Sequence, residues 1–171
     1  MTPHFYGENG HIKRTGITVM TMVEVNIADL VRPALDWAVA TIEGLPIRLD
    51  PMGFGATENG GYWVWDGETY GEKRKIGREQ SKTNRNECGY YSPSTSWEQL
   101  GPLILKYPIV LGNHESGDED GSFWGSAHCF RTGTNFKTQE GIMVAACRAI
   151  VAFKLGGGVM LVPSSLIQAA A

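Results

Sequence analysis

The sequence predicts a small α+β protein: a mixed or antiparallel sheet with two main helices packed on one face, joined by long Gly-rich loops. Three observations predict it. Two segments, Pro33 to Glu43 and Gln139 to Leu155, carry apolar residues at helical spacing. Short apolar or alternating runs stand between and around them, as strands do. Most of the 22 glycines fall between these runs, where they mark loops. At 171 residues the chain fits one domain and can bury a core without metal or disulfide staples.

Residues 1–18 are polar and Gly-containing and read as a flexible tail, with Met20 and Met22 as alternative starts. Residues 19–171 form the single domain, with 53–89 as a loop or hairpin insertion. Val19 to Ile27 alternates apolar and polar residues and suits a half-buried first strand. Pro33 sits in the first turn of a helix, where its missing N–H costs nothing, and the run to Glu43 stops at Gly44. Leu35, Ala38, Val39 and Ile42 make one face of that helix; Asp36 and Glu43 lie off it, and Trp37 flanks the stripe at the rim of a groove.

Leu45 to Leu49 is a short strand, and Tyr62 to Trp65 a second, aromatic one bounded by glycines and Asp66. Residues 66–90, rich in Lys and Arg, show no apolar period and read as a functional loop or an insertion. Ser96 caps a helix over Trp97 to Lys106, which Gly101 and Pro102 restart or bend. Ile109 to Leu111 and Phe123 to Phe130 pair back across the acidic turn Gly117 to Gly121. Thr138 is the N-cap of the helix that runs to Leu155 and stops at Gly156. Val159 to Val162 ends the pattern as a last strand before Pro163.

Several function classes are disfavoured. A formal charge of -3 supplies no basic face for duplex nucleic acid. No run approaches the roughly 20 apolar residues of a membrane span, and no signal-peptide core opens the chain. Cys88, Cys129 and Cys147 are odd in number and widely spaced, which is neither a disulfide framework nor a zinc pattern and fits a reducing cytosol. The glycine-flanked catalytic serine, the phosphate-cradling glycine loop and the dinucleotide fingerprint are all missing from the sequence, so no cofactor is expected. The acidic turn lacks the alternating ligands of a calcium loop, and His128 beside Cys129 points to the opposite strand face.

Three segments in order, "ALDWAVATIEG" at 34–44, "YSPSTSWEQLGPLI" at 91–104 and "AACRAIVAFKLG" at 145–156, resemble the NinX-like family of small bacteriophage and prophage proteins. The resemblance spans Met22 to Val162 and implies a phage gene expressed in a bacterial cytoplasm. It implies no biochemical activity. Relative to the shorter family members, this chain adds the N-terminal tail and the Gly53 to Gly89 region.

The richest candidate site is the loop Tyr91, Ser92, Ser94, Thr95, Ser96 and Trp97, which leads into a helix N-terminus where free N–H groups favour an anion. Trp37 and Arg148 complete the candidate pocket, because a cation on an apolar helix needs a partner that a phosphate supplies. The alternative is a plain capping sequence, with Arg148 paired to Asp36 or Glu43. Tyr62, Trp63 and Trp65 either stack a base or divide into a core Trp pair and a partly exposed Tyr62. Lys73, Arg74, Lys75 and Arg78 either clamp phosphates or form a solvated loop.

The leading expectation is a phage accessory protein that sequesters a small nucleotide-type signalling molecule against host defence, without catalysis. A homo-oligomer, with a dimer first, is expected because an interface offers a pocket that a small domain lacks. The alternatives are a protein-binding adaptor that uses exposed aromatics and, further off, a nucleotide hydrolase built on His114, Asp118 and Glu119.

Overall fold

The structure is a computed structural model that describes residues 21–50, 61–65, 73–77, 89–115 and 123–168. The N-terminal tail, Cys88, Arg78 and the acidic turn with Asp118 and Glu119 lie outside the described residues. The α+β class holds, but the strands are divided among three small sheets where one had been expected.

The first sheet is a ribbon of β1 (Met22–Asn26) and β9 (Val159–Pro163), antiparallel in the register Met22 with Pro163 to Asn26 with Val159. The second runs β2 (Ile47–Asp50), β3 (Gly61–Trp65), β4 (Lys73–Ile76) and β5 (Tyr90–Tyr91), antiparallel except for the parallel β4–β5 pair. The third is an antiparallel meander of β6 (Ile109–Glu115), β7 (Phe123–Cys129) and β8 (Thr134–Thr138). The helices are α1 (Ala34–Ile42), α2 (Trp97–Lys106), α3 (Ile142–Leu155) and the short α4 (Ser164–Gln168).

The third sheet packs on α3, whose other neighbours are α1 and α2. Its alanines let this happen: Ala145, Ala146, Ala149 and Ala152 are buried and hold α3 close to everything around it. The closest approach is at Gly125, where a Cβ would stand 2.2 Å from the Ile142 backbone nitrogen, so sheet and helix meet backbone to backbone. The α3 helix begins at Ile142, three residues later than the capping pattern placed it. Thr138 ends β8 instead, and its hydroxyl accepts from the Glu140 N–H at 3.1 Å within the turn before the helix.

The expected α1 stripe is replaced by burial on every side from Ala34 to Ala40, Asp36 included. In β3, alternation turns Tyr62 and Val64 into the main core cluster and puts Trp63 and Trp65 on the opposite face, where Trp63 is buried and Trp65 half-buried. Cations cover that outer face: Lys75 lies 5.7 Å from the Trp63 ring centre and Arg48 4.7 Å from that of Trp65. Lys73–Ile76 is thereby a strand inside the segment expected to be loop.

The C-terminal ends of three helices converge. Lys106 at the end of α2 pairs with Glu43 just past α1 at 2.6 Å, and the Tyr107 hydroxyl donates to the same carboxylate. Tyr107 then meets Phe153 of α3 edge-on, with ring centres 5.5 Å apart. The lysines at these ends, Lys106 and Lys154, oppose the partial negative charge that gathers there.

Candidate functional site

The loop between β5 and α2 is fixed at both ends by side chains. Gln99, one turn into α2, reaches back so that its Oε1 accepts from the Ser92 N–H at 2.8 Å and its Nε2 donates to the Tyr90 carbonyl at 2.7 Å. The Thr95 N–H returns to the Ser92 carbonyl at 3.1 Å, closing a tight turn. Ser96 occupies the N-cap position of α2, and its carbonyl receives the first helical bonds from Gln99 and Leu100. Its hydroxyl makes no capping bond, so the expected side-chain cap is absent.

The middle of the loop is inserted into the core. Ser92, Pro93 and Ser94 are buried, and the Ser94 N–H donates to Asp36 Oδ1 of α1 at 3.0 Å. Asp36 has no exposed surface. Among the described residues its Oδ2, the Ser94 hydroxyl and the Trp37 indole nitrogen are buried with no hydrogen-bond partner. Such atoms mark a place where polar chemistry has been kept at a cost. Burial pushes the Asp36 carboxyl up to about 6, against partial relief from the Ser94 backbone and hydroxyl and from Arg32.

Beside this insertion lies an open groove of about 340 Å³ between α2, the end of α1 and the β4–β5 pair. Its lining combines Tyr91, Leu103 and Pro102 with Arg74, Gln99 and the carboxylates Glu43 and Glu98. The Arg74 guanidinium lies 5.4 Å from the Tyr91 ring centre. Burial works against the Glu43 charge, but hydrogen bonds from Lys106 and Tyr107 outweigh it and hold the carboxyl below its usual range. Glu43 therefore stays ionised and is occupied by its own partners.

Tyr91, Ser92 and Ser94 thus come together with α1, whereas Thr95 and Trp97 turn outward. Trp37 points its ring edge-on to Tyr62 at 6.3 Å and is nearly enclosed. Arg148 is buried, and its Nε donates to the Leu30 carbonyl at 3.0 Å while its terminal nitrogen pairs with Glu140 at 2.6 Å. Its partner is neither Asp36 nor Glu43, and protein groups meet its charge. The Cys147 thiol is driven well up by burial and by Asp36, far from a reactive thiolate. His114 of β6 meets the Ser126 hydroxyl of β7 at 2.8 Å, away from the loop.

A family model described as bacteriophage P22 NinX matches residues 26–154. The chain belongs to this family. The match runs from the end of β1 to the end of α3 and so contains the loop, the groove and the insertion on Asp36. No curated protein matches the chain. For this NinX-family protein the described residues include no helix long and apolar enough to cross a membrane.

The sequence of the NinX-family chain singles out the loop as a candidate but does not point to Asp36, Gln99 and Glu43 as the groups that frame it. A signal for Asp36 was present. In "ALDWAVATI" only Asp36 and Thr41 are polar, and a helix apolar nearly all round is a buried one whose acid goes inside with it.

Proposed function

We propose that this phage protein binds and sequesters a small nucleotide-type signalling molecule without chemistry, and so acts against a bacterial defence pathway. The observation that carries the reading is the groove beside Tyr91. Its volume of about 340 Å³ falls at the low end of the range for small-molecule sites. It places an aromatic ring, a guanidinium and an amide side by side. Tyr91, Leu103 and Pro102 offer a base its apolar bed, and Arg74 offers a phosphate its charge. Of the Tyr91 to Trp97 loop, Tyr91 lines the groove, joined by Glu98 and Gln99 from the start of α2, while Ser92, Ser94 and Thr95 are not among its lining residues. The cation that lines the groove is Arg74, and Arg148, paired with Glu140, is not among its lining residues.

The test is recovery of the ligand. Protein purified from defence-active bacteria is denatured and the released small molecules are identified by mass spectrometry. The expected result is an intact nucleotide-type compound that raises the melting temperature of ligand-free protein, with the rise reduced by Arg74→Gln. Altered ligand would assign the protein to the hydrolases. Absence of any nucleotide, bound or stabilising, would discard the binding reading.

A second reading rests on a separate observation. Trp97 is 51% exposed and Leu105 91% exposed on the outer side of α2, eight residues apart and so on one face. Apolar side chains left out in this way suit a protein-binding anchor. Capture of a defined host polypeptide that is lost in Trp97→Ala with Leu105→Ser, with nucleotides without effect, would favour the adaptor.

A further inference from the structure

The contact between Asp36 and Ser94 is a buried carboxylate set against a single loop N–H. Gln99 ties the loop near its ends, to Tyr90 and Ser92. Ser94 is held to α1 by one hydrogen bond of 3.0 Å across 58 residues of sequence. Asp36 Oδ2 and the Ser94 hydroxyl are buried there without a completed hydrogen bond, although the hydroxyl gives the charge some relief. A carboxylate in this setting is fully hydrated only by reaching water.

We propose that Asp36 is the positioning residue of the loop and that the Asp36–Ser94 contact is a proton-linked latch: the loop is seated when Asp36 carries a proton and lifts when it ionises. The protonated acid meets both vacancies, because its Oδ2–H donates to the Ser94 hydroxyl while Oδ1 still accepts from the Ser94 N–H. The ionised acid can accept from the Ser94 hydroxyl, but it has no exposed surface through which water reaches its charge, and lifting Ser92 to Ser94 hydrates it.

The groups around it set the direction. Arg32 ahead of α1 favours the charge. Tyr91 of β5 and Cys147 of α3 are buried beside it, and neither offers a charge: burial first, then nearby acids, hold both protonated. Arg148 of α3 is tied to Glu140 and Leu30, and Glu43 at the far end of α1 is itself an anion tied to Lys106. Desolvation is therefore the dominant influence on Asp36 in the seated loop, whereas a hydrated aspartate returns to its ordinary range. This inference rests on the proposed role of the loop as a ligand wall, and it adds regulation: ligand access increases as pH rises from 3.8 through about 6.

The experiment needs no ligand, so its outcome is independent of the binding test. Amide hydrogen exchange of the full chain is followed by NMR from pH 5 to pH 7, corrected for intrinsic rates, in wild type and Asp36→Asn. With the seated carboxyl at about 6 and a hydrated one at 3.8, the opening equilibrium at the Ser94 amide should rise about tenfold over that interval. It should also be at least tenfold more frequent than opening at Val151 of α3 and insensitive to low urea, the signature of local motion. In Asp36→Asn the pH dependence should vanish. The proposal is overturned if wild-type opening is flat with pH, if the Asn variant shows the same rise, or if Ser94 exchanges only through the urea-sensitive unfolding that exposes Val151.

Discussion

Asp36 is one carboxyl whose surroundings act against its charge, and that has a consequence for stability separate from the loop. Its folded value of about 6 stands above the ordinary 3.8. The folded state therefore holds the proton more tightly than the unfolded chain. The stabilisation from this proton is complete below about pH 4 and is lost as pH rises through 6. Two units correspond to about 3 kcal/mol. Asp36→Asn should accordingly be more stable than wild type at pH 8 and no more stable at pH 4. Its amide keeps the acceptor for the Ser94 N–H and adds a donor for the Ser94 hydroxyl. Urea unfolding at the two pH values measures the difference, and a variant less stable than wild type at pH 8 would contradict this account. Residue-level reading of the sequence failed here for a physical reason. Charge placed off an apolar stripe is ordinarily solvated, and only the whole of α1, with Ala34, Ala38 and Ala40 around the acid, shows that there is no solvent side.

At the scale of elements, what was legible in the sequence is what periodicity controls. The α1 helix was placed by its apolar spacing, β3, the β6–β7 hairpin and β9 by short apolar runs and the turns that bound them, and α2 by the residue at its start. Three strands, β4, β5 and β8, were hidden because their stabilisation comes from neighbours. In β4, Lys75 has its ammonium over the Trp63 ring of β3, a contact that no local pattern announces. In β8, Phe136 is the one large apolar side chain, with polar residues on either side. The start of α3 was misplaced because Thr138 resembles a cap yet serves the turn. The same junction yields a sharp expectation. Gly125→Ala would force a methyl group to within 2.2 Å of the Ile142 nitrogen and 2.4 Å of its Cα. Neither is the end of a flexible side chain, so the sheet must draw away from α3 along its best packed contact. We expect a loss of about 1–3 kcal/mol in urea unfolding. A change below about 0.5 kcal/mol, the level of surface substitutions, would show that the contact yields freely.

For the whole molecule, the class was legible but its division was not: runs of strand-like residues do not say which of them pair, and among the described residues they form three sheets, of which β6–β8 packs on α3. The pocket was likewise legible only in part, since Arg74 and Glu43 reach it from elements far from the loop in sequence. The longest-range of these pairings is the β1–β9 ribbon. Asn26 meets Val159, so the first strand waits for a partner about 130 residues downstream. At roughly 5–20 residues per second of synthesis, that is roughly 7–27 s with Val23 and Val25 uncovered on the ribosome. Nascent chains stalled with β9 still in the exit tunnel should leave β1 open to protease, and chains released past Pro163 should protect it. Protection of β1 before β9 emerges would mean that some other strand holds its place. Translation speed is thus a variable in how much of this protein an infected cell obtains in usable form.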